Sequence, residues 1–260
     1  MNFYTNKFDA GLLSSKLVFS QMVNLQVQFA VNNIDRQKEA CGFKQQYTWG
    51  HLPNIKQPVA KFAGKAVRTE AENKSYYDTL NKFAAEPKSI SEELIKEIHQ
   101  SLFKHCPKGS KFGSYKRENI VVTITDSGNG KVYFVPVTQA SYVSKHMGLL
   151  VKWYNTAIED KQIHPLLLIH LFIYEFVSIH PFPDGNGRLS RVLTTLLLLR
   201  NGYEFAGFAS YEKAIERDRG RYLTSYFQSQ RFRGTEDEKI YSSLFFFLES
   251  LSLMTNNVNL

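Results

Sequence analysis

The 260-residue chain is 43% hydrophobic and 22% charged, with a formal charge of +8 and two cysteines, which is enough apolar material for one large core or one domain with an appendage. The basic balance is compatible with nucleic acid, but Lys and Arg are scattered without a long basic run, and Cys41 and Cys106 stand in no metal or redox spacing, so a solvated surface, reduced thiols and a cytosolic setting are expected. The longest apolar runs, Leu166 to Phe172 and Leu196 to Leu199, are interrupted or too short to span a bilayer, and Met1 to Ala10, which carries Lys7 and Asp9, does not read as a signal peptide.

Residues 8 to 33 read as an amphipathic helix, with Leu12, Leu13, Leu17, Phe19, Met22, Val23, Val27, Ala30 and Val31 at helical spacing. Asp35 to Gln57 is rich in polar, aromatic, Gly and Pro residues and is expected to be an irregular connector. A helical pattern resumes over 58 to 85 and breaks at Pro87. Ser91, followed by Glu92 and Glu93, then has the form of an N-cap with acid in the first turn, opening a helix that runs towards Lys104. Strand signal is confined to Ile120 to Thr125 and Lys131 to Val137, β-branched and aromatic runs separated by the turn-forming Asp126 to Gly130; these predict a β-hairpin. Ser141 to Asn155 is expected to be helical, with Met147, Leu149, Leu150 and Trp153 turned inward, and Glu212 to Gln230 and Lys239 to Leu253 complete a mainly α-helical chain.

The one run whose composition packing does not explain is His180 to Arg191. Before it, His164 to Ile179 is almost wholly apolar and of helical length, and Pro181 and Pro183 stop that helix at His180. After it, Leu189, Val192, Leu193 and Leu196 to Leu199 resume a buried helix, so two buried helices hold one polar loop. Gly185 and Gly187 permit positive φ, and with Asn186 between them they let backbone N–H groups converge on an anion at a helix N-terminus. Arg188 and Arg191 lie three apart in the first turn, where guanidinium forks can grip phosphate oxygens. Asp184 is a hard-oxygen group of the kind that holds Mg²⁺ against substrate phosphates, and Asn186 is a neutral polar group suited to orienting phosphate or metal-bound water. His180 titrates near neutrality and is the candidate base for an incoming hydroxyl, while Phe182 reads as an apolar peg.

This run matches the signature His-x-Phe-x-Asp/Glu-Gly-Asn-Gly-Arg-x-x-Arg, and the chain thereby resembles the Fic family. The resemblance extends to His164-Pro165, to Tyr174-Glu175-Phe176, to the helix Ser91 to His99 with Leu102, to Gly113-Ser-Tyr-Lys-Arg117 and to Arg219-Gly-Arg-Tyr222, covering roughly residues 63 to 230. One departure stands out: many relatives place a histidine seven residues before the motif histidine, where this chain has Ile173, with His170 one turn away.

The resemblance implies an all-α Fic fold, a helical bundle core with one β-hairpin flap, in which residues 1–62 form an N-terminal helical extension and 63–260 the Fic domain. It implies a protein adenylyltransferase that moves AMP from ATP to a Ser, Thr or Tyr hydroxyl of a target protein, itself included, and releases pyrophosphate. His180 would be the base, and Asp184 would hold Mg²⁺. Gly185, Asn186 and Gly187 would stabilise the α-phosphate, Arg188 and Arg191 would grip the outer phosphates, and Tyr222 would line the adenine pocket. Tyr133, Phe134 and Val135 would lie on the flap, which registers the target segment by strand addition. Transfer of UMP, phosphocholine or phosphate, removal of AMP, and a non-catalytic nucleotide-binding module are the alternatives. Many relatives also carry an inhibitory helix with the pattern Ser/Thr-x-x-x-Glu-Gly/Asn, whose Glu pairs with the second motif arginine. Ser114 to Asn119 fits that pattern but overlaps the family's Gly-x-Tyr/Phe-Arg turn, so the expected regulator is Glu72, followed by Asn73 and with Arg68 at the Ser/Thr position, pairing with Arg191; Glu70 is the alternative.

Overall fold

The computed structural model describes residues 25–40, 70–84, 89–105, 112–125, 130, 132–233, 235 and 238–258. Within them the chain forms helices α1 (Leu25–Ala40), α2 (Glu70–Ala84) and α3 (Glu92–Leu102), strands β1 (Val122–Thr125) and β2 (Val132–Val135), and helices α4 (Val143–Asp160), α5 (Pro165–Ile179), α6 (Asn186–Arg200), α7 (Tyr211–Arg217), α8 (Arg219–Gln230) and α9 (Tyr241–Val258), with 3₁₀ turns at Ala140–Tyr142 and Glu204–Gly207. The fold is mainly α-helical with one antiparallel hairpin among the described residues, as expected.

The mid-chain pair α5 and α6 sits in the centre of the core. In α5 every residue from Leu166 to Phe176 is buried, and in α6 every residue from Leu189 to Leu199. A helix that is apolar all round needs neighbours on all sides, and α4, α6 and α9 pack against α5. Pro165 occupies the first turn of α5, where a missing N–H costs nothing, and the His164 ring accepts the N–H of Leu166 as its cap. Ser91 caps α3 through the N–H of Leu94 as the sequence predicts.

Three expectations shift. Asp35 to Ala40 is the last part of α1 and not connector: Ile34 is fully buried, and the Asp35 carboxylate accepts hydrogen bonds from His164 Nε2 (2.9 Å) and Tyr203 Oη (3.1 Å), contacts that composition does not reveal. The helix expected over 212 to 230 breaks at Asp218, whose side chain caps α8 through the N–H of Arg221. The last helix extends past Leu253 to Val258. The pattern read at 8 to 24 and the domain boundary at 62/63 lie outside the described residues, while the described parts on both sides of that boundary share one core, α1 packing on α9. Tyr174 and Glu175 serve as anchors: the Tyr174 hydroxyl donates to Glu238 Oε1 (2.7 Å), and Glu175 holds Arg233 in an almost fully buried ion pair (2.7 Å). His170, the neighbour of the departed histidine position, is buried beside Ser243 and contributes to packing.

In the hairpin, Val122 pairs with Val135, Thr123 with Phe134, Ile124 with Tyr133 and Thr125 with Val132. Tyr133 leans on Phe227 of α8 and Val135 is buried, whereas Phe134, on the opposite face, is 73% exposed. The strands are shorter than predicted, and positions 126–129 and 131 of the turn lie outside the described residues.

Candidate active site

The loop at His180 follows from two prolines. Had α5 continued, the carbonyls of Val177 and Ile179 would have accepted from the nitrogens of residues 181 and 183, which carry no hydrogen because both are proline. All four terminal carbonyls of α5 nevertheless have a donor, the first of them its ordinary helical one. Phe176 O takes the N–H of His180 (3.0 Å), Val177 O lies 3.3 Å from His180 Nδ1, Ser178 O accepts from the N–H of Thr138 (3.3 Å), and Ile179 O lies 3.4 Å from Lys116 Nζ. His180 itself turns left-handed, with φ 51 and ψ 60. Because Nδ1–H is spent on the Val177 carbonyl, Nε2 carries the free lone pair of the neutral ring. Burial first, and then the charge of Lys116, push the imidazole pKa down to about 4, against weaker upward pulls from the bond to the Val177 carbonyl and from Asp184. The ring is therefore neutral near pH 7, the form a base requires.

The rest of the loop is stapled from inside. The Asn186 amide clasps the backbone of Phe182, its Oδ1 accepting the N–H (2.9 Å) and its Nδ2 donating to the carbonyl (2.7 Å). It is 2% exposed. The side chain expected to orient phosphate is thus committed to the loop, and what Asn186 offers an anion is its backbone N–H. The N–H of Gly185 is taken by Asp184 Oδ1 (2.6 Å), and the N–H groups of Asn186, Gly187 and Arg188 open α6 at its positive end.

Sequence reading did not single out His99, although it lies on the helix quoted for the family resemblance. Its ring is fully buried, stacked on Phe182 (3.8 Å between centroids) and bordered by Phe103 and Phe112. The N–H of Gly113 donates to Nδ1 (2.9 Å), which leaves Nε2–H to donate to the Asp184 carbonyl (2.9 Å). A protonated His99 would lose the Gly113 bond, and desolvation pushes its pKa down to about 4; that of buried His170 is pushed to about 3. Both groups titrate near 6.5 once unfolded, so below that pH the unfolded chain binds protons that the native state refuses, and stability falls with pH until the folded rings titrate. Urea unfolding should show about 2 kcal/mol lost per ring between pH 7 and 5; a stability flat over that interval would contradict the neutral, buried assignment.

The two motif arginines come back to the cradle by different routes. Arg188, 30% exposed, lies over the Phe103 ring and donates from Nη1 to Glu72 Oε1 (3.0 Å) on α2. Arg191 is nearly buried. Its Nε donates to Glu212 Oε1 (2.9 Å), a fully buried carboxylate on α7, and its Nη1 lies 3.4 Å from where a Cβ on Gly187 would stand. Glu72, expected beside Arg191, makes an ion pair with Arg188, while Glu212, a residue of an ordinary-looking helix, holds the Nε of Arg191. Glu70 and Asn73 have no described side chains. Tyr222 is half-buried against Tyr226 and Phe246 and stands beside Arg191, whose charge acts on it. The Asp184 side chain is exposed, and no group of three or more His, Cys, Asp or Glu side chains that could hold a metal occurs among the described residues. Such a site fits a hard cation held jointly with phosphate oxygens and water, not an all-protein cage. No helix among the described residues is long and apolar enough to cross a membrane.

The Fic/DOC family model matches residues 89–198. A probable protein adenylyltransferase of Aquifex aeolicus is 30% identical over 128 residues, 48% of this chain and 35% of that protein. A Fido domain-containing protein of Dictyostelium discoideum is 31% identical over 93 residues, 36% of this chain and 58% of the relative, and the protein adenylyltransferase Fic of Drosophila mojavensis is 47% identical over 51 residues, 20% and 10% of the two chains. The matches thus span from a tenth to just over half of these curated relatives. Among solved structures, a Fic domain-containing signaling protein of Bacteroides thetaiotaomicron superposes with a TM-score of 0.61 at 19% identity, covering 88% of this chain and 97% of its own, and Fic-1 of C. elegans with 0.62 at 15%, covering 96% and 78%. At these identities the superpositions establish the fold.

Proposed function

We propose that this chain, whose residues 89–198 match the Fic/DOC family model, is a protein adenylyltransferase, moving AMP from ATP to a side-chain hydroxyl of a target protein or of itself. The observation that carries the reading is the His180 ring, tied at Nδ1 to the Val177 carbonyl and bearing its free lone pair on Nε2, on the loop that leads into the N-terminus of α6 and its two arginines. The hydroxyl oxygen attacks the α-phosphorus, its proton passes to His180 Nε2, and the bond to the β-phosphate breaks to release pyrophosphate. The N–H groups of Asn186, Gly187 and Arg188 stabilise charge on the phosphate in a preorganised site, which is the main contribution proteins make to phosphoryl-type transfer. Mg²⁺, when bound with the nucleotide, offsets the negative charge of the phosphates, and Asp184 is the residue that would hold it. Arg188 and Arg191 hold the outer phosphates, Tyr222 borders the adenine, and the flap carrying Tyr133, Phe134 and Val135 receives the target. Incubation with each α-labelled nucleoside triphosphate in turn tests the choice of nucleotide: ATP is expected to label protein, and label from UTP alone would overturn AMP transfer.

Glu72 acts as the brake in this reading, through Arg188. The pair is part-exposed, and such pairs contribute about 1 kcal/mol or less, so it restrains the arginine without locking it. Arg188→Ala should weaken ATP binding by the ~1.5–3 kcal/mol of a lost charge-assisted contact. Glu72→Gly should instead raise labelling by freeing the guanidinium. Calorimetry and labelling check both; unchanged labelling in Glu72→Gly and in Glu70→Gly would remove α2 as the brake.

A further inference from the structure

Lys116 is the least expected side chain near the site. It follows Tyr115 in the segment between α3 and β1, and it is only 4% exposed, an unusual state for a lysine. Its backbone N–H donates to the Pro181 carbonyl (2.8 Å), and its Nζ reaches the Ile179 carbonyl (3.4 Å), the one that Pro183 leaves without its helical donor. These two carbonyls flank His180, which sits in the left-handed region that a non-glycine residue occupies only when its surroundings hold it there. The ammonium also stands at the negative end of α5, where a cation is favoured and where its charge acts on the imidazole. A shorter side chain would keep the backbone bond and lose the other two effects.

We propose that Lys116 is a positioning residue of the transfer reaction: it clamps the chain on both sides of His180 and sets a positive charge against the ring, so that Nε2 meets the hydroxyl without a proton. The charged groups acting on the ring are Lys116, from the segment packed over the loop, and Asp184, from the loop itself; Lys116 opposes protonation and Asp184 favours it. The inference rests on the reading of His180 as the base.

The test compares Lys116→Gln and Lys116→Arg with the wild-type chain, following the His180 ring by NMR titration and AMP transfer by kcat and KM for ATP across pH. In Lys116→Gln the His180 midpoint is expected to rise by about one unit, as for loss of one nearby like charge, with kcat falling up to roughly tenfold at pH values below the raised midpoint and KM for ATP unchanged. The acid limb of the rate profile should move up with the midpoint. Lys116→Arg, which keeps the charge, should restore all three. A midpoint unmoved in Lys116→Gln, or a failure of Lys116→Arg to restore it, would overturn the proposal, and so would a rise in KM equal to the fall in kcat. Should Lys116→Gln not fold, the same comparison is made with Lys116→Met, whose apolar stem suits the buried site. Absence of transfer by the wild-type chain would sink the adenylyltransferase reading alone, since the NMR midpoint reports the hold of Lys116 on His180 without turnover.

Discussion

His180→Ala is expected to abolish AMP transfer while leaving the fold in place. General base catalysis contributes on the order of 10²–10⁴ in rate, and no other described side chain offers a comparable free imidazole at the cradle: His99 is closed off by Gly113 and Asp184, and His170 lies in the core. Alanine at this left-handed position meets the backbone cost of about 1–2 kcal/mol that His180 already bears, and the core running through α4, α5, α6 and α9 is unaltered. His180→Asn is the sharper variant, because asparagine tolerates the left-handed region but cannot take the proton. Both should melt as folded proteins and bind ATP. Residual transfer above one per cent of the wild-type rate in His180→Asn would remove His180 from the role of base.

Gly185→Ala is expected to be the most damaging single methyl group in the site. The residue has φ +83, and a Cβ there would stand 2.4 and 2.5 Å from Cζ and Cε2 of Phe103 and 3.1 Å from His99 Nε2. The Phe103 ring cannot withdraw, being 2% exposed and stacked on Phe112 at 4.1 Å. Left-handed strain of about 1–2 kcal/mol adds to overpacking of about 1–3 kcal/mol. Gly187→Ala is the control: its Cβ would meet only Arg191 Nη1, at 3.4 Å, the end of a flexible side chain. Urea unfolding should therefore show about 2–5 kcal/mol lost in Gly185→Ala and much less in Gly187→Ala, with ATP binding lost in the former because the loop that aims the N–H groups has moved. Equal, small losses in both would mean that the close approach of Phe103 is not a constraint on the loop.

The apolar continuity of 164–179 and 189–199, the paired prolines and the two glycines made the central helices and the loop between them legible in the sequence, because each feature acts through local backbone chemistry. The hairpin was legible for the same reason. What stayed hidden depends on contacts between segments far apart in the chain. Nothing local distinguishes Glu212 from a surface glutamate, yet it is fully buried on Arg191, while Glu72 pairs with Arg188. His99 and Lys116 looked like ordinary members of a helix and a turn, and both reach backbone carbonyls of the 179–184 loop. Asn186 was assigned by residue type to a ligand, but its burial and its two bonds to Phe182 make it an internal staple. A polar residue flanked by glycines does not disclose which way its side chain turns. The helical end of α1 was missed because Asp35, read as loop-forming, serves as the acceptor that docks the helix.

The adenylyltransferase reading is tested most directly by comparing ATP labelled on the α-phosphate with ATP labelled on the γ-phosphate, using the wild-type chain, Glu72→Gly and His180→Ala with Mg²⁺. Covalent label is predicted from the α-position alone, stronger in Glu72→Gly and absent in His180→Ala. Protein labelled from the γ-position, or α-label that persists without His180, would contradict transfer of AMP by this site.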